Sequence, residues 1–242
     1  MNYSVTDWLH FGMWGMLIGS AVIGMIGLTM RKEDRHHVYL AGWITLTAAT
    51  AYYAMSVEFG TFAINGQNVQ FARYIDWMVT TPLLLLSLIA VGLPSGKSKQ
   101  KTALIAGVIG LDVSMILTGL FASLAVQKWP WYVISCAALV LIGYMVFGVI
   151  RAEVQSVSKK LPTLYMNLAM ALTLLWAAYP VVWYLAGSGV NQVSFLTENA
   201  LYAILDLTAK VGFGIAILLG VKNLAKNTKL KAGEATVETV AK

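Results

Sequence analysis

The sequence predicts an all-α membrane protein, a bundle of seven transmembrane helices. Of its 242 residues, 58% are hydrophobic and only 12% are charged, and the mean hydropathy is +0.70. A water-soluble domain of this length could not cover so much apolar surface. Seven apolar stretches are each long enough to cross a hydrocarbon core of about 30 Å, which takes about 20 helical residues. Membrane barrels alternate apolar and polar residues in short strands, which these stretches do not.

We number the seven predicted spans in chain order and keep these numbers throughout. They cover residues 6–29, 38–58, 71–93, 102–126, 131–150, 163–187 and 199–221. The first span has no basic residue before it and is too long for a signal-peptide core, so we interpret it as a transmembrane helix. Residues 1–225 are predicted to form the membrane domain, and the polar residues 226–242 a disordered cytoplasmic tail.

The basic residues are concentrated on one side of the predicted bundle. Fourteen of the 17 follow spans 1, 3, 5 and 7. They are Arg31, Lys32, Arg35, Lys97, Lys99, Lys101, Arg151, Lys159, Lys160 and five lysines from Lys222 onward. The positive-inside rule makes this side cytoplasmic, with the N-terminus outside and the C-terminus inside. The net charge of +6 thus reflects membrane orientation, and no nucleic-acid partner is predicted.

Six charged residues of spans 3, 4 and 7, counting Glu198 just before span 7, are candidates for a functional site. They are Arg73, Asp76, Asp112, Glu198, Asp206 and Lys210. Charged groups in the hydrocarbon core are costly unless they are paired, and they commonly mark a functional site. Asp112 taken by itself is equally compatible with a structural contact between helices. The spacing of the others favours a site.

Spans 3 and 7 run in the same direction, and each presents charges on one face. Asp76 lies three residues after Arg73, and Lys210 lies four residues after Asp206. At a rise of about 1.5 Å per residue, Lys210 lies about 18 Å beyond Glu198, near the bilayer midplane. If the two faces meet, one lysine faces two carboxylates. Such a lysine can form a Schiff base with a carbonyl compound, and an inert ion-pair network is the alternative.

Span 6 places aromatic side chains at the same predicted depth as this lysine. In LLWAAYPVVWYLAG, Trp176, Tyr179 and Trp183 follow at i, i+3 and i+7, and Pro180 interrupts the backbone hydrogen bonds. Trp77 of span 3 would add to these aromatic side chains, and Gly119 of span 4 would leave space beside them. This arrangement could enclose a long, flat, apolar ligand that carries an aldehyde, and ordinary packing is the alternative.

Three motifs in these spans resemble those of the microbial (type 1) rhodopsins, seven-helix proteins that bind retinal as a protonated Schiff base. The motifs are RYIDWMVTTPLLLL at 73–86, WAAYPVVW at 176–183 and LDLTAKVGFG at 205–214, and the resemblance extends over all seven spans. It implies a multi-pass retinal photoprotein of the cell membrane and not an enzyme. Its cofactor would be all-trans retinal bound covalently to Lys210.

The resemblance also implies a role for each residue of the site. Asp76 and Asp206 would be the counterions, with Asp76 as the proton acceptor and Arg73 as the gate beneath it. Glu198 would belong to the outer proton-release group, whose second carboxylate is replaced here by Ser188. The retinal pocket would comprise Trp77, Gly119, Trp176, Tyr179, Pro180 and Trp183. Thr81 and Asp112 would form a hydrogen-bonded brace between spans 3 and 4.

Three positions of span 3 are diagnostic in this family, and here they are Asp76, Thr80 and Ser87. Asp76 and Thr80 disfavour chloride and sodium pumping. Outward proton pumps usually have a carboxylic acid at the third position, which returns a proton from the cytoplasm, and Ser87 cannot do so. The triplet resembles the sensory rhodopsin and xenorhodopsin branch, although many of its members have proline at the position of Asp206. Some carry an acid where this chain has Ile217.

Two classes of function follow from these features. The first is light-driven proton transport, which is expected to be slow and outward because the carboxylates lie on the outer side, with inward pumping as its alternative. On the cytoplasmic side only water or the cluster from Glu33 to His37 would relay protons. The second is a sensory photoreceptor that signals through a transducer protein. A passive channel is disfavoured because no span has a continuous polar stripe.

The remaining expectations concern colour, one loop, metals and assembly. Leu84 occupies a position where leucine accompanies green absorption in the family and glutamine blue. The stretch FAINGQNVQF at 62–71 predicts a short hairpin on the outer face. No third ligand accompanies His36 and His37, so no metal site is predicted. Family members commonly form trimers or pentamers, so the resemblance implies a homo-oligomer in the lipid bilayer.

Overall fold

Seven helical spans form the described part of the chain, which comprises residues 3–93, 99–157 and 161–240 of a computed structural model. The first four spans are α1 (Val5–Leu28), α2 (Arg35–Ser56), α3 (Phe71–Gly92) and α4 (Lys99–Leu124). The fifth span is α5 (Lys128–Tyr144), a π-helical turn at Met145–Ile150 and α6 (Arg151–Val157). The sixth is α7 (Leu161–Leu185), and the seventh is α8 (Phe195–Leu207), a π-helical turn at Thr208–Gly212 and α9 (Phe213–Val240). The predicted seven-helix bundle is confirmed.

Six of the seven spans are long and apolar enough to cross a membrane, within the described ranges. The exception is α2, which begins with Arg35, His36 and His37 and contains several threonines and tyrosines. Its length of 22 residues nevertheless matches the bilayer, and it packs between α1 and α3. The chain is therefore a multi-pass membrane protein whose second span is the least apolar.

The connections at the two ends of the bundle differ in structure. Between α2 and α3 the chain forms an antiparallel hairpin of β1 (Thr61–Ile64) and β2 (Gln67–Gln70). Asn65 and Gly66 form its turn with φ angles of 52° and 77°, as an Asn-Gly turn between two strands requires. The predicted hairpin is confirmed. Between α1 and α2 there is only a short 3₁₀ turn, Lys32–Asp34.

We refer to the end that carries the strands as the hairpin end and to the opposite one as the basic end. The basic end carries the side chains of Arg31, Arg35, Arg151 and Lys222, whereas Lys128 lies at the hairpin end. Lys97, Lys159 and Lys160, which contribute to the charge argument, lie outside the described residues. The side of the membrane that each end faces remains a prediction.

The last helix, α9, continues to Val240 and so extends beyond the predicted membrane domain. Its backbone is helical through most of the segment 226–242, for which the composition predicts disorder. The boundary at residue 225 and the disorder of the tail stay predictions.

Glycines of α1 allow close contact between this helix and its neighbours. A Cβ atom placed on Gly12 would overlap the ring of Tyr52 on α2, and one on Gly15 would lie 2.6 Å from a methyl carbon of Leu207 on α8. Because real Cβ atoms do not approach so closely, only glycine fits at Gly12 without a shift of the tyrosine ring. This contact fixes the position of the Tyr52 ring relative to α1.

Candidate functional site

Four charged side chains from α3 and the seventh span meet in the middle of the bundle. The ammonium group of Lys210 is hydrogen-bonded to Oδ2 of Asp76 and lies 3.3 Å from Oδ1 of Asp206. Arg73 Nη1 lies 3.9 Å from Oδ2 of Asp206. All four side chains are at most 3% exposed. Two cations and two carboxylates balance in charge, as a cluster buried from water requires.

The lysine lies in the π-helical turn of the seventh span. Lys210 is the central residue of Thr208–Gly212, and both Ala209 and Lys210 are buried there. Turns of this kind are rare in helices and are often found at functional sites. Lys210 lies beside Asp206 of the preceding α-helical segment, and both groups contact side chains of α3.

The two carboxylates are hydrogen-bonded very differently. Asp206 accepts hydrogen bonds of 2.8 Å from the hydroxyl groups of Tyr52 and Tyr179 and one of 3.2 Å from the indole of Trp77. Asp76 Oδ2 accepts from Lys210, whereas its Oδ1 has no hydrogen-bond partner among the described residues. The charge of Asp206 is therefore held by three neutral donors, and that of Asp76 depends mainly on Lys210.

Arg73 is directed away from Lys210, towards the hairpin end. Its Nη2 atom donates to the amide oxygens of Gln70 at 2.6 Å and Asn199 at 2.8 Å. Its Nη1 atom donates to Tyr52 at 3.4 Å, and the guanidinium lies 4.7 Å from the ring centroid of Tyr202. These contacts hold the arginine between the carboxylate cluster and the hairpin end.

Four residues of this network were missed by the sequence analysis: Tyr52, Gln70, Asn199 and Tyr202. An uncharged polar or aromatic side chain in an apolar helix usually indicates packing, so composition gave no reason to select them. The spacing of Asn199 offered one signal, because it lies seven residues before Asp206 and hence on the same helix face. No comparable signal distinguishes the buried Tyr52 from its exposed neighbour Tyr53.

A cavity extends from Lys210 between α3, α4, α5 and α7. Its lining includes the predicted pocket residues Trp77, Thr81, Leu84, Gly119, Trp176, Tyr179, Pro180 and Trp183. Met115, Ile116, Leu139 and Tyr202 complete much of the remaining wall. The amine at one end and the apolar, aromatic walls beyond it suit an elongated apolar aldehyde, so these residues fit retinal.

Two hydrogen-bonded groups connect α4 to its neighbours around the cavity. Thr81 donates a 2.7 Å hydrogen bond to Oδ2 of Asp112, and the second oxygen of this buried carboxyl has no partner among the described residues. Ser123 lies 2.5 Å from the hydroxyl of Tyr74 and accepts a 2.8 Å hydrogen bond from Trp183. These contacts fix α3, α4 and α7 relative to one another.

The remaining predicted residues lie along α3 and the seventh span, outside the charged cluster. Thr80 is buried and donates to the backbone oxygen of Asp76 at 2.8 Å, not to its carboxylate. Ser87 is buried and donates to the backbone oxygen of Leu83 at 2.8 Å. Glu198 is half-buried at the hairpin end. In the described ranges no three His, Cys, Asp or Glu side chains are grouped to hold a metal ion.

The fold and the site define a class: a seven-helix membrane protein with a buried lysine between two carboxylates. Residues 4–224 match the family of bacteriorhodopsin-like proteins, and the chain belongs to that family. It is 35% identical to a bacteriorhodopsin from Haloterrigena sp. (strain arg-4) over 220 residues, which are 87% of this chain and 86% of that protein. The resemblance to microbial rhodopsins is thereby confirmed.

Solved structures show the same relationship. A thermophilic rhodopsin from Rubrobacter xylanophilus has a TM-score of 0.85 and 34% identity, and the match covers 90% of this chain and 96% of that one. A light-driven proton pump from Coccomyxa subellipsoidea has a TM-score of 0.81 and 33% identity, covering 90% of this chain and 97% of that one. The similarity therefore extends over nearly the whole bundle.

Proposed function

We propose that the protein is a light-driven proton transporter that binds all-trans retinal through Lys210. The unequal hydrogen bonding of Asp76 and Asp206 carries the proposal. A carboxylate held by three neutral donors is stabilised as an anion, whereas one whose second oxygen is free has a place to receive a proton. Asp76 is thus the acceptor and Asp206 the permanent counterion.

The cavity and the relatives support retinal as the bound group. Retinal linked to Lys210 would supply absorption of visible light and a light-driven change of shape beside Asp76. The aromatic walls would hold an elongated chain in one orientation, and Gly119 contributes no side chain to the cavity that it lines. The bacteriorhodopsin from Haloterrigena and the proton pump from Coccomyxa are the relatives from which we transfer this function.

The residues of the chain then determine the direction of proton movement. Asp76 receives the proton of the lysine nitrogen, because the two groups are in contact. Arg73 lies between this cluster and Glu198, the half-buried carboxylate at the hairpin end. By the positive-inside rule the hairpin end faces outward and the basic end faces the cytoplasm. A proton released from Asp76 therefore leaves to the outside.

Return of a proton to Lys210 from the basic end is expected to be slow. A general acid in this half of the bundle would speed the step. Ser87 and Ile217, however, occupy the two positions at which family members carry an acid. Both side chains are buried and neither can donate a proton at neutral pH. We therefore assign slow outward transport.

The same observation favours a second candidate, a sensory photoreceptor. Slow return of the proton prolongs the activated state, which suits signalling to a transducer protein more than transport. An inward pump stays the third alternative. The carboxylates near the hairpin end define only the half of the proton path between Lys210 and that end. Assembly into a trimer or pentamer also stays a prediction.

Light-induced pH changes separate the three alternatives. Cells that express the protein with retinal are suspended without buffer and illuminated, and the external pH is recorded with and without a protonophore. We expect weak acidification that the protonophore abolishes, and no response in cells that express Lys210→Ala. Alkalinisation that the protonophore abolishes would mean inward pumping, and the absence of any change in pigmented cells would favour the photoreceptor.

A further inference from the structure

A buried histidine begins the inward face of α2 at the basic end. His37 is 4% exposed, and its Nδ1 atom has no hydrogen-bond partner among the described residues. Buried polar side-chain atoms are seldom left without a partner, so an isolated ring nitrogen here is unusual. The neighbouring His36 differs, because it is exposed and its Nδ1 lies 2.9 Å from the backbone oxygen of Glu33.

His37 lies on the same face of α2 as Tyr52. The buried residues of this helix are His37, Ala41, Ile44, Thr45, Ala48, Ala49, Tyr52 and Met55. Steps of three and four residues place them on one inward stripe. One end of the stripe reaches Asp206 through the hydroxyl of Tyr52. Near the other end, a Cβ atom placed on Gly214 of α9, one turn beyond Lys210, would lie 3.3 Å from the methyl carbon of Ala41.

His37 lies somewhat nearer the basic end than Ser87 on α3. His37 precedes Tyr52 by fifteen residues, or about 22 Å of helix, and Ser87 follows Asp76 by eleven residues, or about 16 Å. Tyr52 and Asp76 both belong to the charged cluster around Lys210 and Asp206, so the two distances start from nearly the same level. His37 therefore lies about 6 Å, or roughly one helical turn, nearer the basic end than Ser87.

We propose that His37 is the proton relay of the basic end, which conducts a proton from the cytoplasm past Ser87 to Lys210. This inference rests on the proposed function. It assigns the return step to a histidine of α2, because Ser87 on α3 and Ile217 on α9 stand where an acid would be. A neutral imidazole can accept a proton at one ring nitrogen and release one from the other. One proton enters from bulk water and one leaves towards the nitrogen of Lys210, and no other bond changes.

The charged groups near His37 belong to the basic end and include Arg35, whose buried Nε has no hydrogen-bond partner among the described residues. Asp34 is paired with Arg31 at 2.8 Å, and the ring of His36 lies 4.0 Å from that of His37. On the seventh span Lys222 donates to the hydroxyl of Thr29 at 2.9 Å.

Farther into the bundle the helices around His37 are uncharged. Residues 81–92 of α3, 213–221 of α9 and 18–30 towards the end of α1 contain no charged side chain. The imidazole is thus the last titratable group of α2 on this route before Lys210 and its carboxylates.

Flash spectroscopy of purified pigment tests the relay. His37→Gln and His37→Asn keep a polar side chain without a ring, and a visible absorption band in the dark shows that each variant folds and binds retinal. We expect the lysine nitrogen to regain its proton about ten-fold or more slowly in both variants. His36→Gln, the matched control, should recover at the wild-type rate. Added imidazole should partly restore the rate in His37→Gln, which a merely structural role would not allow.

Infrared difference spectra with ring-labelled histidine give a readout that is independent of transport and of rate. A transient histidine band should accompany recovery in the wild type and in His36→Gln and should be absent from His37→Gln. Equal recovery in all variants would overturn the relay while leaving the proposed function intact. If the flash never removes the proton from Lys210 in the wild type, the proposed function itself fails. A slower loss of that proton in His37→Gln, with unchanged return, would reverse the direction of transfer and also overturn the proposal.

Discussion

The hydroxyl of Tyr52 donates a 2.8 Å hydrogen bond to Asp206, although 154 positions of the chain separate the two residues. Both side chains are completely buried. The contact connects α2, the least apolar of the seven spans, directly to the residue that faces Lys210. The second span therefore contributes to the site as well as to the packing of the bundle.

Replacing Tyr52 with phenylalanine should destabilise the protein. The change removes one of three donors to Asp206 and leaves a buried carboxylate oxygen less satisfied, which costs about 1–3 kcal/mol. Thermal unfolding in detergent measures the loss. Tyr53→Phe is the matched control, because Tyr53 is 56% exposed and its loss should have little effect. Equal destabilisation by both changes would mean that the hydrogen bond to Asp206 contributes nothing measurable.

Replacing Lys210 with alanine should abolish covalent retinal binding and the visible absorption band. No other lysine side chain lines the cavity within the described residues, so no second amine replaces it. Absorption spectra and the mass of the borohydride-reduced protein report the loss. Lys222→Ala, on the same span but outside the cavity, should keep both the band and the added mass. A coloured Lys210→Ala protein that resists hydroxylamine would contradict the assignment.

Replacing Asp76 with asparagine should shift the visible band to longer wavelength and abolish light-driven proton release. The substitution removes the negative charge in contact with Lys210. Without this anion, the energy gap between the ground and excited states of the bound group is smaller. Absorption spectra and flash-induced pH changes with a dye measure both effects. Asp206→Asn should also shift the band but should retain transfer to Asp76. If only Asp206→Asn blocks the transfer, the roles of the two carboxylates are reversed.

An acid at position 87 should accelerate the return of the proton to Lys210. Ser87 is 3% exposed and offers only a hydroxyl that is already bonded to the backbone of Leu83. Ser87→Asp or Ser87→Glu would supply a carboxylic acid in this half of the bundle, with a gain on the order of 10²-fold. Flash spectroscopy and the pumping rate report the change, and Ser87→Asn serves as the control of similar size. If the lifetime of the state in which Lys210 lacks its proton changes with neither the new acid nor the external pH, this return is not the slow step.

The sequence predicted the architecture and the charged part of the site for one physical reason. Arg73, Asp76, Asp206 and Lys210 are conspicuous because an ionised group in hydrocarbon requires a partner, and their spacing of three or four residues defines a shared face. The structure brings those faces together as expected. The length of the apolar stretches likewise predicts the helices, although their ends differ by several residues in the fifth and seventh spans.

What could not be predicted depends on the rotation of helices about their axes. Gln70, Asn199 and Tyr202 contact Arg73 because α3 and α8 face each other at particular angles, which no single sequence specifies. The π-helical turn around Lys210 was also unforeseen. It changes the local number of residues per turn without a proline to mark it, since Thr208–Gly212 reads TAKVG.

The glycine at position 12 has a consequence for the spectrum of the pigment. Gly12 lies on the first helix and belongs to no part of the charged cluster, yet the ring of Tyr52 occupies the space that a methyl group there would need. A Gly12→Ala change would displace the ring, lengthen its bond to Asp206 and alter the field at Lys210. The wavelength of maximum absorption would then depend on the distance between the first two helices. Colour in this protein is in that sense a property of helix spacing as well as of the pocket that surrounds the chromophore.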